Sequence, residues 1–110
     1  MFYKRDETGY RGAMKGVSLK TLTYGEKTLL AEFLLTGGEI LPAHAHPHEQ
    51  IGYLVSGALL LDIGGETFEV NPGDSWCIPG NVEHGAKILK DSVAIEVFSP
   101  VREDFLPAGG

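Results

Sequence analysis

The 110-residue sequence predicts an all-β fold, an antiparallel sandwich or barrel. Segments rich in β-branched and aliphatic residues recur at a spacing of roughly 8–12 residues, which is typical of such folds. Fifteen glycines are many for this length and favour tight turns over long helices. No window keeps a 3.6-residue apolar period for more than about two turns. The strands predicted by this pattern are 17–23, 28–35, 50–55, 58–63, 67–70, 75–78 and 93–98.

Turn-forming residues separate the predicted strands. Gly64-Gly65 lies between the apolar segment 59–63 and the alternating segment 66–70. Two glycines can both take positive φ, so this pair predicts a β-hairpin. The other predicted turns are Gly37-Gly38, Ser56-Gly57, 71–74 and 79–81.

Length and charge limit the organisation and the partners. A chain of 110 residues has room for one core, so we expect a single domain over residues 1–110. A core this small is marginally stable alone, which favours a homodimer. The net charge of -6 argues against nucleic acid or an anionic membrane as a partner. No apolar run approaches the ~20 residues of a membrane helix.

The first ten residues and the cysteine content bear on the compartment. The segment MFYKRDETGY has no apolar signal core, so we expect a cytoplasmic protein. Cys77 is the only cysteine, which rules out an internal disulfide and fits a reducing environment.

The histidines form the clearest chemical pattern. His44, His46 and His48 stand at alternate positions, and His84 follows about 40 residues later. Alternate residues of an extended strand face the same side, so His44 and His46 could reach one ion, and Gln50 shares their parity. Neutral imidazole is the commonest metal ligand in proteins. The pattern predicts a metal site, although His48 is equally well read as a solvated or core residue.

The residues around the histidines resemble the cupin family. The pattern G-x5-H-x-H-x3-Q-x6-G over 38–57 is similar to the first cupin motif, with Gln50 where many members carry Glu. The pattern G-x5-P-x-N-x2-H over 73–84 is similar to the second, with Asn81 replacing the usual Gly. Asn tolerates the left-handed backbone that Gly would supply. The resemblance covers about residues 28–98 and implies a double-stranded β-helix, the cupin jelly-roll barrel.

The resemblance also implies one bound divalent metal ion, with Ni, Zn, Fe, Mn and Cu all compatible with the ligand types. The implied ligands are His44, His46, Gln50 and His84. Pairing His46 with His48 instead would break the spacing from Gly38. A neutral amide in place of a carboxylate leaves the +2 charge uncompensated, which favours Lewis-acid work on hydroxyl or carbonyl groups.

The strand predicted over 93–98 carries an acid on an apolar face. Glu96 lies between Ala94 and Phe98 on that face. One interpretation is a solvent-facing residue on a half-exposed strand. The other places Glu96 in the interior, facing the metal, as a general acid or base.

Two segments resemble a particular group of small cupins. HAHPHEQIGY and FSPVREDFL are similar to the KdgF group of pectin and alginate breakdown, whose members convert 4,5-unsaturated monouronates into their linear keto form. Their catalytic acid, usually Asp, stands two residues before a Phe and six before an Arg. Those offsets match Glu96, Phe98 and Arg102. Glu in place of Asp shifts the carboxylate by about an ångström, enough to affect the rate.

The resemblance implies roles for these residues. Glu96 moves a proton during ring opening, and Arg102 binds the uronate carboxylate of a small acidic sugar. The alternative for Arg102 is a surface salt bridge with Glu103 or Asp104. Phe98 and Tyr53 are expected to contact the substrate, with Trp76 a further candidate, although aromatic residues in barrels also serve as plain core.

Two other functions stay open at this point. One is a cupin dioxygenase acting on a small enediol or flavonol-like substrate, and the other is a non-catalytic sugar-binding cupin. Four protein ligands leave fewer open metal positions than a dioxygenase needs, which favours ring opening.

Overall fold

In the computed structural model, which describes residues 1–106, eight strands form one antiparallel sheet, and the predicted all-β fold is confirmed. No helix in this part of the chain is long and apolar enough to cross a membrane. The expected single domain over 1–110 stays a prediction, and its last four residues lie outside the described range. The strands are β1 Arg11–Met14, β2 Val17–Tyr24, β3 Leu29–Leu35, β4 Ile40–His44, β5 Glu49–Ile63, β6 Glu66–Val70, β7 Ser75–Ile78 and β8 His84–Ser99, followed by a 3₁₀ turn over Glu103–Phe105.

Two long strands, β5 and β8, organise the sheet. They pair with each other from Glu49↔Ser99 to Ile63↔His84. The first half of β5 also pairs with β7, and its second half pairs with β6. The second half of β8 pairs with β3, whereas its first half pairs with β4. One half of the sheet contains β3 and β7, the other half contains β4 and β6, and β5 and β8 run through both.

The predicted turn at Ser56-Gly57 is wrong. Segments 50–55 and 58–63 belong to the single strand β5, and the register with β8 shifts around residues 54–59. Gly57 has φ +98° there, and the amide of Ala58 donates to Ser92 Oγ at 3.1 Å. A positive-φ glycine can form a β-bulge as readily as a turn. The predicted hairpin at Gly64-Gly65 is confirmed by the β5–β6 register.

Apolar side chains from both halves of the sheet meet in one core. Burying such side chains is the main favourable contribution to folding. A second, smaller cluster of Leu29, Ala31 and Phe98 packs against Phe33 and Phe105. The buried residues of the main core are Val17, Leu35, Leu54, Leu59, Leu61, Val70, Ala86, Ile88 and Ala94.

The outer face of β5 exposes three apolar side chains between positions 51 and 55. Ile51, Tyr53 and Val55 are each about half exposed there, because alternate residues of a strand point to opposite sides of the sheet. The predicted homodimer stays a prediction, and this face offers apolar surface to a second copy.

The bulge at Gly57 should control stability. A Cβ at this position would lie 2.0 Å from Ser92 Oγ, and the positive φ disfavours any L side chain. We expect Gly57→Ala to lower the free energy of unfolding by about 2–3 kcal/mol, measured by urea denaturation. Gly12→Ala is the matched control, because a Cβ at Gly12 meets nothing within 4 Å. Equal effects of the two substitutions would contradict this account.

Candidate functional site

Three histidines converge at the end of the β4–β8 ladder. His44 ends β4 and is the register partner of His84, which begins β8. His46 lies just beyond β4, and one ring nitrogen from each histidine lies within 4.8 Å of the others. Ring centroids are 4.3 Å apart for His44–His84 and 4.9 Å for His46–His84. The structure therefore brings together all three histidines of the predicted ligand set.

Hydrogen bonds orient each of these rings. The Nδ1 atom of each ring faces a backbone carbonyl two residues away, so Nδ1 carries the hydrogen and Nε2 keeps its lone pair. This is the tautomer that a ligand to a metal through Nε2 requires. The carbonyl partners of His44, His46 and His84 are Pro42, His48 and Val82, at 3.1, 3.0 and 2.9 Å.

Burial favours the uncharged form of two of the three rings, His46 and His84. Loss of solvent lowers the pKa of His46 and of His84 below the usual histidine range, and Arg102 lowers both further. A metal binds only the neutral imidazole. The environment thus favours the form that can act as a ligand.

Gln50, the fourth predicted ligand, lies beside His46, and its amide is oriented. Its Nε2 donates to Glu96 Oε1 in a short hydrogen bond, which leaves its Oε1 3.0 Å from His46 Nε2. Both of these facing atoms carry lone pairs, because His46 has its hydrogen on Nδ1. Two lone pairs at this distance repel each other unless a cation lies between them. The donor set therefore fits a divalent metal ion of the kind the sequence predicts.

Glu96 lies inside the fold rather than on a solvent-facing surface, and its role as an acid or base stays a prediction. Its side chain is 8% exposed and shares the inward face of β8 with Ala94 and Phe98. Burial raises the pKa of Glu96, while hydrogen bonds from Gln50 and Trp76 oppose the rise. Trp76 Nε1 donates to Oε1 at 3.1 Å. No hydrogen bond reaches Oε2 from residues 1–106.

Arg102 forms the salt bridge with Asp104 that the sequence offers as one interpretation. It donates from Nε and Nη2 to the two oxygens of Asp104, at 2.9 and 2.7 Å. Its side chain is only 16% exposed, and its guanidinium lies 4.2 Å from the ring centroid of Phe105 and 5.1 Å from that of Phe98. Among residues 1–106, no acceptor takes a hydrogen bond from Nη1 or from the second hydrogen of Nη2.

These residues line one cavity of about 360 Å³. Phe98 lines it too, with its ring centroid 6.0 Å from that of His46, and its contact with substrate stays a prediction. Most of the remaining wall is aliphatic or aromatic, so the polar groups are concentrated at one region. The polar side chains in the lining are His44, His46, Gln50, Trp76, His84, Glu96, Arg102 and Asp104.

The structure does not bring two of the candidate residues to this cavity wall. Tyr53 is 49% exposed, because Gln50, Gly52 and Leu54 take the inward positions of β5 and position 53 points outward. The expectation that Tyr53 contacts substrate is therefore corrected. His48 lies beside His46, outside the histidine cluster, and its Nδ1 is buried without a hydrogen-bond partner among the described residues.

Comparisons with known proteins agree with this architecture. The cupin-domain family model matches residues 31–99. The pectin degradation protein KdgF of Dickeya dadantii is 32% identical over 107 residues, covering 96% of this chain and 97% of that protein. The structure of KdgF from Halomonas sp. superposes with a TM-score of 0.90 at 31% identity, covering 96% of this chain and 98% of that chain. An RmlC-like cupin from Shewanella frigidimarina gives a TM-score of 0.89 at 28% identity, covering 96% of this chain and 95% of that chain. The predicted double-stranded β-helix is confirmed.

The histidine cluster should bind a divalent cation in solution. We expect chelator-treated protein to bind Zn²⁺, and His84→Ala to weaken that affinity by about 100-fold or more, measured by calorimetry. His48→Ala is the control, because it keeps the backbone carbonyl that orients His46 and removes only a ring outside the cluster. Equal losses in both variants, or no loss in His84→Ala, would contradict the assignment.

Proposed function

The chain belongs to the cupin family, and on that premise we propose that it is a metal-dependent enzyme that opens 4,5-unsaturated monouronates into their linear keto form. The observation that carries the proposal is a buried acid, Glu96, joined through Gln50 to the histidine cluster in one cavity with Arg102. The similarity to KdgF over nearly the whole chain supports a sugar acid as the substrate.

His44, His46, Gln50 and His84 would hold the metal ion in this proposal. Three neutral imidazoles and one amide oxygen suit Ni, Zn, Fe, Mn or Cu. A bound divalent ion supplies Lewis acidity to hydroxyl and carbonyl oxygens near it.

Arg102 binds the carboxylate of the sugar acid. The ion pair with Asp104 uses Nε and one hydrogen of Nη2, so the Nη1 side of the guanidinium can meet a carboxylate with two hydrogen bonds. Phe98 and Phe105 pack against the guanidinium and fix its plane. Its positive charge counters locally the overall charge of -6, which would otherwise repel an anion.

Glu96 transfers the proton. Ring opening takes the proton from the anomeric hydroxyl, breaks the bond between the anomeric carbon and the ring oxygen, and delivers a proton to that oxygen, which leaves an aldehyde and an enol. Protonation of the enol carbon with loss of the enol hydroxyl proton then yields the ketone, so the overall change is an isomerisation without an oxidant. A carboxyl group whose pKa is raised by burial is a stronger proton acceptor than a solvent-exposed one and can return the proton in a later step. Oε2, which has no protein partner within residues 1–106, is the atom assigned to this transfer.

A ring-opening assay tests the reaction. We expect the metal-loaded protein to convert a 4,5-unsaturated galacturonate faster than the spontaneous rate, followed by NMR. Glu96→Gln should lower kcat by about 10²- to 10³-fold with little change in KM, because the amide keeps the shape and loses the transferable proton. Glu49→Gln is the control, since Glu49 is exposed at the start of β5.

A wild-type rate equal to the spontaneous one would overturn the proposed reaction. Oxygen consumption by the metal-loaded protein would instead support the dioxygenase alternative. Saturable binding of the uronate without turnover would support a sugar-binding cupin.

Arg102 should govern substrate affinity. We expect Arg102→Gln to raise KM by about 10- to 100-fold, because charge-assisted hydrogen bonds to a carboxylate are lost. The control is Arg5→Gln, which removes an exposed arginine whose partner is the exposed Glu7 at 3.8 Å. An unchanged KM in Arg102→Gln would show that the carboxylate binds elsewhere.

A further inference from the structure

We propose that Trp76 is a positioning residue for Glu96: its indole crosses β5 above Gly52 and holds one carboxylate oxygen, so that the other faces the cavity. The inference rests on the proposed function, in which Glu96 is the proton-transfer group. The proposal assigns Trp76 a role beyond the packing against the main core that its large apolar ring also provides.

The three residues form one row across three strands. Gly52 on β5 is the register partner of Trp76 on β7 and also of Glu96 on β8. Adjacent strands lie about 4.8 Å apart, so the outer two residues of the row are separated by nearly 10 Å. Only a long side chain passing over the middle strand can bridge that gap, and the indole does so.

Gly52 leaves the space for this crossing. A Cβ there would lie 2.1 Å from Cε2 and 2.2 Å from Nε1 of Trp76, which no real contact allows. The backbone of Gly52 does not have a positive φ, so its requirement for glycine comes from the close approach of the ring. The absence of a side chain at position 52 therefore allows the indole of Trp76 to occupy this place.

The hydrogen bonds distinguish the two oxygens of the carboxyl group. Trp76 Nε1 and Gln50 Nε2 both donate to Oε1 of Glu96, from two different strands. With Oε1 held by two donors, the plane of the carboxyl group is fixed and Oε2 is presented to the cavity. A glutamate has one more rotatable bond than an aspartate, so it gains more from such anchoring.

Steady-state kinetics test the positioning role. We expect Trp76→Phe, which keeps an aromatic ring and removes the donor, to lower kcat by about 10- to 100-fold with KM within about twofold. Gly52→Ala should cause a similar loss by displacing the indole, and the double variant should lose no more than either single variant. Cys77→Ser, at the exposed neighbouring position of β7, should match the wild type.

Strictly additive losses in the double variant would overturn the proposal, because independent structural defects add. An unchanged kcat in Trp76→Phe would overturn it as well.

A second measurement does not depend on activity. Trp76 is the only tryptophan, so the protein gives a single indole N–H signal in a ¹H–¹⁵N spectrum. We expect that proton to exchange slowly with water in the wild type, and at least about 10-fold faster in Glu96→Ala, where its acceptor is missing. An indole N–H exchange rate that is unchanged in Glu96→Ala would overturn the positioning role, even if the enzyme is active. A faster exchange rate in Glu96→Ala, in a protein that does not turn over the uronate, would support the positioning role and contradict only the proposed function.

Discussion

The two ends of the Gln50 amide couple the acid of the site to its histidines. Donation from Nε2 to Glu96 turns Oε1 toward His46 Nε2 at 3.0 Å, where two lone pairs face each other. A cation between them removes that repulsion. The amide also suits the acid at position 96: a second carboxylate in direct contact with Glu96 would make it costly for both groups to ionise. Gln at position 50 and an acid at position 96 are thus mutually compatible, whereas two acids would compete for one proton.

The paired strands β5 and β8 make this coupling possible. Their inward positions alternate with outward ones, so Gln50 and Glu96 line the cavity while Tyr53 faces solvent. Gly52 opposes Glu96 across the ladder, and the indole of Trp76 fills the space above it. The same two strands extend past the bulge at Gly57 into the other half of the sheet. Glu96, Gln50 and Trp76 are therefore held by regular strands rather than by loops.

The sequence predicts the features that depend on local pattern. Alternation over 93–98 places Glu96 on the face of Phe98, and the histidine spacing with its flanking glycines predicts the cluster. The same alternation, counted from Gln50, predicts that Tyr53 lies on the outer face. The bulge at Gly57 cannot be predicted from local pattern, because a positive-φ glycine suits a turn equally well. The contact between Trp76 and Glu96 depends on which strands pair, which the local sequence pattern does not give. Only the glycine at position 52 indicates that a large side chain crosses β5 at that point.

Anomalous diffraction from crystals of the Zn²⁺-loaded protein tests the central claim most directly. The account predicts a single strong peak shared by Nε2 of His44, His46 and His84 and by Oε1 of Gln50, with the amide nitrogen of Gln50 still donating to Glu96. A peak that omits Gln50, or an amide turned so that its nitrogen faces His46, would contradict the coupling of acid and metal through this residue.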